Sequence, residues 1–362
     1  MHISKLSLTN FRSYEQLDLP LSTGISIFIG RNGEGKTNIV ESILYLSFLK
    51  SHRVSNDQPL VRLGASAAYI RGTAQLPDRE VLVELEVNAE KANRAQINQN
   101  PVRSQKEIFG IVQAVYFSPE DLDLVRGDPS ERRTFIDQQL VLRSPRLAGV
   151  ISDYERAVRQ RNALLKSRAS NDSLSSWDEQ VAKFGGEIIA ARLSTLQDLE
   201  PIFHLTYNEI APEKSAGITY KSSIDEPSLD AVVNTQKILD RFSISRAAEI
   251  ERGLTLTGPH RDDLLLGLGD HLVKGYASHG ESWSIALSLK LAMYQLLKRD
   301  GLSPILILDD VFSELDAGRR TQLISLAQNA EQTFITVAVE SDLPSELTGK
   351  RFHIKSGSAT AL

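Results

Sequence analysis

The residues with the clearest chemistry form a glycine-rich octapeptide, GRNGEGKT, at positions 30–37. It fits the pattern GxxxxGK[ST] and lies between a predicted strand at 24–29 and a predicted helix at 37–48, where a phosphate-binding loop belongs. Its glycines let backbone N–H groups close around phosphates, Lys36 would reach the β and γ phosphates, and Thr37 would place its hydroxyl on Mg²⁺. The remaining predicted phosphate-binding residues are Gly30, Arg31, Asn32, Gly33, Glu34 and Gly35.

The alternative interpretation of this octapeptide is an ordinary glycine-rich turn. With glycine at about 7% of residues, the four fixed positions match by chance in roughly one such chain per hundred. The helix that begins at the end of the loop adds a dipole that favours an anion. The octapeptide therefore predicts nucleotide binding.

A second candidate site lies in PILILDDVFSELD at 304–316, where two carboxylates follow an apolar run. The run at 305–308 is typical of a buried parallel strand, and ligands of such sheets bind at the carboxyl ends of the strands. Asp309 would hold Mg²⁺, through water, and Asp310 would orient or deprotonate the attacking water in phosphoryl transfer. A strand capped by solvated acids is the alternative, and the phosphate loop that precedes it favours catalysis.

These sites require a sheet-rich frame, which the periodicity predicts at both ends of the chain. Alternating or apolar segments predict strands at 2–9, 17–21, 24–29, 67–75, 81–87, 95–98 and 112–118. From about 129 to 248 the pattern changes to long helices, including 152–166 and 179–209, with a strand candidate at 217–221. We therefore expect an α/β fold with one lobe from 1–125 and 250–362 and an inserted, mainly helical lobe at 126–249.

Composition limits the classes of function. The 362 residues contain 41% hydrophobic and 24% charged residues, which is ordinary for a globular protein. The absence of Cys excludes disulfides and thiolate metal sites, and the seven His show no recognisable ligand spacing. Neither a signal peptide nor a membrane span is predicted, so we expect a cytoplasmic protein without a membrane partner. With a net charge of −5, any DNA contact must come from a local basic patch.

The order of these motifs resembles that of ABC-type ATPase heads. Such heads carry a serine-glycine signature before the acidic strand, and ASHGE at 277–281 occupies that place. The resemblance implies that Ser278 and Gly280 act in trans on the γ phosphate held by a second subunit, so that two subunits enclose two ATP molecules. It also implies that 314–316 lines the dimer interface. Without the resemblance, ASHGE would be a polar loop before a helix.

Three longer blocks resemble the RecF family of bacterial recombination mediators. They are NFRSY at 10–14, SPEDLDLVRGDPSERRTFID at 118–137 and GPHRDD at 258–263, and the resemblance runs essentially end to end. It distinguishes the chain from transporter ATPases and from SMC proteins, whose heads are split by a far longer coiled coil. It implies ATP and Mg²⁺ as cofactors, ATP-dependent homodimerisation and binding to junctions of single- and double-stranded DNA. It further implies that the protein helps RecR and RecO to load RecA at gaps.

The chain departs from the RecF family pattern in its signature, which usually continues with Gln-Gln-Arg where this chain has Glu281, Ser282 and Trp283. A carboxylate near phosphates is unfavourable unless it faces away or meets a cation. The segment 333–339 also contains no His of the kind that senses the γ phosphate in many ABC heads. Weak, DNA-stimulated ATP hydrolysis is therefore expected, and a nucleotide-binding DNA scaffold without productive hydrolysis is the alternative. A transporter ATPase is the third reading.

A candidate DNA-binding surface lies at 126–168, where ten basic residues against five acidic ones give a local net charge of +5. An apolar face at helical spacing comprises Ile151, Tyr154, Val158 and Leu165. Arg156, Arg159 and Lys166 fall together on another face, which predicts contact with DNA phosphates. The alternative is a solvated basic helix face, which is the usual fate of such charges.

Overall fold

The computed structural model describes residues 1–168, 170–313 and 315–362, with only the backbone of Asn171. The α-helices are α1 Lys36–Phe48, α2 Asp123–Arg126, α3 Pro129–Arg143, α4 Leu147–Lys166, α5 Asn171–Ile210, α6 Ala231–Arg252, α7 His279–Arg299 and α8 Ala317–Asn329. The strands are β1 His2–Phe11, β2 Tyr14–Pro20, β3 Gly24–Ile29, β4 Ala67–Gln75, β5 Glu80–Asn88, β6 Arg94–Ile97, β7 Asn100–Pro101, β8 Ala114–Phe117, β9 Ala216–Lys221, β10 Asp263–Leu268, β11 His271–Leu272, β12 Ile305–Asp309, β13 Gln332–Val337, β14 Lys350–Lys355 and β15 Ser358–Ala361.

The chain forms two compact units. One comprises Met1–Asp121 with Leu297–Leu362, and the other comprises Leu122–Leu296. The predicted inserted lobe, 126–249, lies inside the second unit, which also takes in 250–296. The boundaries of independently folding lobes therefore stay a prediction.

Two sheets build the first unit. Strands in the order β2-β1-β4-β5-β6-β7 form an antiparallel sheet, and strands in the order β15-β14-β3-β13-β12-β8 form a second sheet in which β14, β3, β13, β12 and β8 are mutually parallel. Helix α1 contacts strands of both sheets. One hydrophobic core continues through all of them, with Ile39 and Ile43 of α1 fully buried in it.

The apolar run after Pro304 is confirmed as a parallel strand. All five residues of β12 are buried, and Ile307 pairs with Phe334 of β13 on one side and with Tyr116 of β8 on the other. A strand covered on both faces has no polar side, which explains the lack of alternation in its sequence. Its carboxyl end carries Asp309 to the same sheet edge at which β3 ends.

Helices α4, α5 and α6 share the core of the second unit. Tyr154, Val158 and Leu165 of α4 are buried in the unit and Ile151 is half-buried, so the predicted apolar face of this helix is confirmed. Beside the helices lies a three-stranded sheet in the order β11-β10-β9, in which the predicted strand at 217–221 becomes β9. The second unit is therefore helical but not purely so.

The GPHRDD block, for which the sequence offered no physical role, is a polar junction of the second unit. The Asp263 carboxylate receives two hydrogen bonds from Arg132, at 2.8 and 3.0 Å. Buried Asp262 accepts from the Tyr220 hydroxyl and from the Ser223 N–H, at 2.5 and 2.7 Å. Since Arg132 belongs to the block at 118–137, two blocks distant in sequence meet here.

His260 completes this junction as a neutral imidazole. Its Nδ1 lies 2.5 Å from the Tyr154 hydroxyl, and its Nε2 lies 3.1 Å from the Thr255 carbonyl oxygen. Only an Nε2–H can donate to a carbonyl, which leaves Nδ1 to accept from Tyr154. Burial, with the nearby Arg261 adding to it, lowers the pKa of His260 to about 4.

The burial of His260 makes stability depend on pH. Because the pKa is about 6.5 in the unfolded chain and about 4 in the fold, the unfolded chain binds more protons between these values. The contribution of neutral His260 to the free energy of unfolding should therefore be fully present above pH 6.5. The free energy of unfolding should then fall by up to about 3 kcal/mol as the pH drops to 4. Denaturant unfolding at a series of pH values should show a flatter profile for His260→Gln, whereas exposed His353→Gln should keep the wild-type slope. Parallel wild-type and His260→Gln profiles would contradict the assignment.

Candidate nucleotide site

The phosphate loop connects β3 to α1 and relies on glycine at three positions. Gly33 and Gly35 have φ of 86° and 113°, a left-handed region that side chains disfavour. At Gly30 a Cβ would lie 2.4 Å from the Ile354 carbonyl oxygen, and at Gly35 it would lie 2.9 Å from the Tyr14 hydroxyl. The backbone therefore turns where no larger residue fits, which brings its N–H groups to the start of α1.

Lys36 is buried, with only 3% of its side chain exposed, and its ammonium group lies among oxygen atoms. Nζ is 3.4 Å from Asn32 Oδ1 and 3.8 Å from Asp310 Oδ2. Arg31 is exposed, whereas Glu34 accepts a hydrogen bond from the Ser356 N–H at 2.5 Å, which ties the loop to the β14–β15 turn. Lys36 is thus the loop cation that lies beside the acidic pair.

Asp309 is held by three hydroxyl groups. The Thr37 hydroxyl lies 3.4 Å from Oδ1, Thr336 also donates to Oδ1, and the Tyr116 hydroxyl donates to Oδ2 at 3.0 Å. Burial, and then the neighbouring Asp310, raise the pKa of Asp309. The predicted magnesium residues, Thr37 and Asp309, are therefore adjacent although 272 positions separate them.

Asp310 occupies an unusual backbone conformation beside this carboxylate. Its φ is 51°, and its N–H donates to the Thr336 hydroxyl at 3.1 Å. Burial raises the pKa of Asp310, while Lys36 opposes the rise. With 36% of its side chain exposed, the carboxylate is accessible to water.

Thr37 and Asp309 suit a magnesium ion that is bound partly by the protein and partly by the phosphates of a nucleotide. Within the part of the chain that the structure describes, no three His, Asp or Glu side chains are grouped so as to hold a metal ion. Mg²⁺ usually takes one or two protein oxygens together with water and substrate phosphates. Thr37 and Asp309 supply such a pair, and the roles of all the site residues remain predictions.

The NFRSY block supports the phosphate loop, a role that the sequence did not indicate. Arg12 donates to both oxygens of the buried Glu41 carboxylate on α1, at 2.8 and 2.6 Å. The Tyr14 hydroxyl donates to the Gly35 carbonyl oxygen at 3.1 Å. Ser13 accepts from the Asn38 side chain at 2.9 Å. This role could not be inferred from the block itself, because its partners Gly35, Asn38 and Glu41 lie 21 to 29 positions further along the chain.

The signature segment belongs to the second unit and forms a capping box before α7. The Glu281 N–H donates to Ser278 Oγ at 3.2 Å, and the Ser278 N–H donates to Glu281 Oε2 at 2.8 Å. Lys214 lies 2.7 Å from Glu281 Oε1, and these contacts lower the pKa of Glu281 to about 2. The carboxylate therefore meets a cation, which is one of the two conditions expected for it. Gly280 lies in the first turn of α7.

The segment at 314–316, predicted to line a dimer interface, lies between β12 and α8. Glu314 lies outside the described residues, while Leu315 is buried and Asp316 caps α8 by accepting from the Arg319 N–H at 3.0 Å.

On α4, the predicted DNA-binding residues Arg156, Arg159 and Lys166 are all exposed. Arg156 lies 3.0 Å from Asp153. Exposure is compatible with both a DNA contact and a solvated face.

Tyr116→Phe should weaken magnesium-dependent nucleotide binding, because it removes one donor that orients Asp309. Residues that orient a metal ligand typically contribute about tenfold or more to metal affinity. ATP titrations at several Mg²⁺ concentrations should show a higher Mg²⁺ requirement for the variant. Tyr45→Phe removes a buried hydroxyl bonded to Asp57 instead and serves as the matched control. An unchanged Mg²⁺ requirement in Tyr116→Phe would contradict the role.

Comparison with known proteins gives one family throughout. The family model of the RecF/RecN/SMC N-terminal domain matches residues 2–353. A DNA replication and repair protein RecF from Cutibacterium acnes is 46% identical, with 100% of this chain and 98% of the relative covered. Its counterpart from Streptomyces avermitilis is 47% identical, with 99% of each chain covered.

Solved structures agree with the sequence relatives. The recombination mediator protein RecF-ATP of the RecFOR pathway has a TM-score of 0.92 at 28% identity, covering 100% of this chain and 97% of that one. An Smc head bound to the C-winged helix domain of ScpA, with a TM-score of 0.59 at 17% identity, shares the fold alone. The chain therefore belongs to the RecF family of DNA replication and repair proteins and has the ABC-type ATPase head fold.

Proposed function

We propose that this protein is an ATP-dependent DNA-binding protein of recombinational repair and replication-fork maintenance. The observation that carries the proposal is the convergence of Lys36, Thr37, Asp309 and Asp310 at one sheet edge. Relatives at 46% and 47% identity named DNA replication and repair protein RecF support it, as do neighbours named RecF-ATP and RecF-ATPrS. ATP is the proposed nucleotide and Mg²⁺ the proposed metal.

Each site residue has a distinct role in this proposal. Lys36 would bind the β and γ phosphates, exchanging its distant contact with Asp310 for phosphate oxygens. Mg²⁺ held by Thr37 and Asp309 would neutralise charge on the phosphates. Asp310 would orient the attacking water and accept its proton, and the raised pKa of its carboxyl makes the carboxylate a stronger base.

The signature residues extend the site to a second copy of the chain. Ser278 and Gly280 of one copy would contact the γ phosphate bound by the other, so that ATP drives dimerisation and hydrolysis reverses it. Ser278 Oγ accepts from the Glu281 N–H, and its hydroxyl also bonds to the Glu281 carboxylate, so on closure the hydroxyl hydrogen would turn from that carboxylate to a phosphate. Hydrolysis is expected to be weak and stimulated by DNA.

The dimer would act at junctions of single- and double-stranded DNA or at gaps. There it would help RecO and RecR to load RecA, with RecA as an indirect partner. Arg156, Arg159 and Lys166 on α4 are the proposed contacts with DNA phosphates.

Among the described residues, no helix is long and apolar enough to cross a membrane. A cytoplasmic location is proposed, as expected from the sequence.

A nucleotide-binding DNA scaffold without productive hydrolysis is the second candidate. It is favoured by Glu281, Ser282 and Trp283, which stand where the family signature usually has Gln-Gln-Arg. Trp283 is also buried, and its indole N–H has no hydrogen-bond partner among the residues that the structure describes. Lys214 beside Glu281 favours the active ATPase, because it offsets the carboxylate. Measuring ATP turnover with and without duplex DNA distinguishes the two, since only the mediator should show stimulated turnover.

Asp310→Asn and Ser278→Arg should shift dimerisation in opposite directions. The amide at 310 keeps the side-chain shape but is a poor base, so γ-phosphate removal should slow by about a hundredfold or more. The ATP-bound dimer, and its complex with DNA, should then persist longer. Arg at 278 should block closure of two copies while leaving ATP binding to the monomer intact. Light scattering with ATP and Mg²⁺ measures both effects, and an Asp310→Asn protein that stays monomeric where wild type dimerises would contradict the trans site.

The basic face of α4 can be tested by reversing Arg156, Arg159 and Lys166 to Glu together. Each lost phosphate contact should lower the slope of log affinity against log salt by roughly 0.9. DNA titrations at several salt concentrations measure this slope. Reversal of three basic residues on α6, namely Lys237, Arg241 and Arg252, provides a charge-matched control. A slope that falls equally in both triple variants would identify a general charge effect and place the DNA elsewhere.

A further inference from the structure

A lysine from outside the signature segment contacts it directly. Lys214 lies between the end of α5 at Ile210 and the start of β9 at Ala216. Its Nζ is 2.7 Å from Oε1 of Glu281, whose other oxygen accepts the Ser278 N–H at 2.8 Å. A continuous chain of contacts thus runs from Lys214 through Glu281 to Ser278.

These contacts fix the conformation of the signature backbone. Both the N–H and the hydroxyl of Ser282 donate to the Ser278 carbonyl oxygen, at 3.0 and 2.8 Å. Together with the two bonds of the capping box, they leave Ser278 little freedom to rotate. The direction in which the Ser278 hydroxyl points therefore depends on where the Glu281 carboxylate is held.

The ion pair contributes little to the stability of the isolated fold. The side chains of Lys214 and Glu281 are 55% and 28% exposed, and exposed pairs are largely screened by water. When a phosphate approaches and water is excluded, a carboxylate at Glu281 repels it far more strongly than in solution. A cation beside that carboxylate matters most at the moment when the nucleotide is enclosed.

We propose that Lys214 is a positioning residue of the signature segment, which neutralises Glu281 and holds it in the capping box so that Ser278 can meet the γ phosphate bound by a second copy of this chain. The inference rests on the proposed ATP-dependent dimer. It would account for a working signature segment with Glu281 where the family pattern usually has Gln. Lys214 acts through Glu281, and the required ligand is the triphosphate end of ATP.

The test compares single and double variants of the pair. Lys214→Ala should weaken the ATP-dependent dimer by about tenfold, because the carboxylate is left uncompensated. Glu281→Gln should dimerise at least as well as wild type. The double variant Lys214→Ala/Glu281→Gln should return to within about twofold of Glu281→Gln, because no carboxylate remains to be neutralised. Analytical ultracentrifugation with ATP and Mg²⁺ measures the dimer dissociation constant.

Three controls separate positioning from general damage. Lys214→Arg keeps the cation and should dimerise like wild type, and Lys221→Ala removes an exposed cation from the far end of β9 and should have no effect. ATP affinity of the monomer should be unchanged in every variant. Rescue by Glu281→Gln is not expected if Lys214 only braces its loop, so a double variant as weak as Lys214→Ala would overturn the inference.

Failure of the inference and failure of the proposed function give different results. If wild type dimerises with ATP and Lys214→Ala dimerises equally well, the positioning role is wrong and the proposed function stands. If wild type itself stays monomeric with ATP and Mg²⁺, the ATP-driven dimer is wrong, and the role of Lys214 fails with it.

Discussion

Burial of opposite charges at one sheet edge is the constraint on which the first unit depends. Lys36 is almost fully buried, and its ammonium group lies near the Asn32 amide oxygen and the more distant Asp310 carboxylate. Neighbouring Asp309 is equally buried and is satisfied by hydroxyl groups of three different elements. Charges in such surroundings need partners, and a magnesium-bound triphosphate supplies both signs. The weakly paired ammonium of Lys36 and the neighbouring carboxylates would thus both be complementary to the proposed ligand.

The sequence was sufficient for the parts of this site that depend on local order. A strand, a glycine loop and a helix follow one another in the chain, and the carboxyl ends of parallel strands share one edge, so Thr37 and Asp309 could be expected to meet. Strand β4 coincides with its predicted range for a similar reason. The alternation of side chains that predicts a strand is contained within the segment itself.

The supporting residues could not be predicted in this way. Tyr14, Tyr116 and Thr336 reach the site from β2, β8 and β13, and an isolated Tyr or Thr in a strand gives no signal of its partner. The same holds for the GPHRDD block, whose aspartates pair with side chains up to 131 positions away. Long-range polar pairing depends on tertiary structure, whereas hydrophobic periodicity records only local structure.

The left-handed backbone at Asp310 limits which side chains the position accepts. Asp and Asn tolerate this conformation because their short polar side chains bond locally, while longer or branched residues are strained there. A glutamate would therefore differ from aspartate in more than reach, since it would also resist the turn that aims the carboxylate. The main chain thus adds a preference for the shorter acid to whatever the chemistry of the carboxyl group requires. Exchange for the longer acid would therefore carry a conformational cost in the main chain at the end of β12, in addition to any change in the reach of the carboxylate.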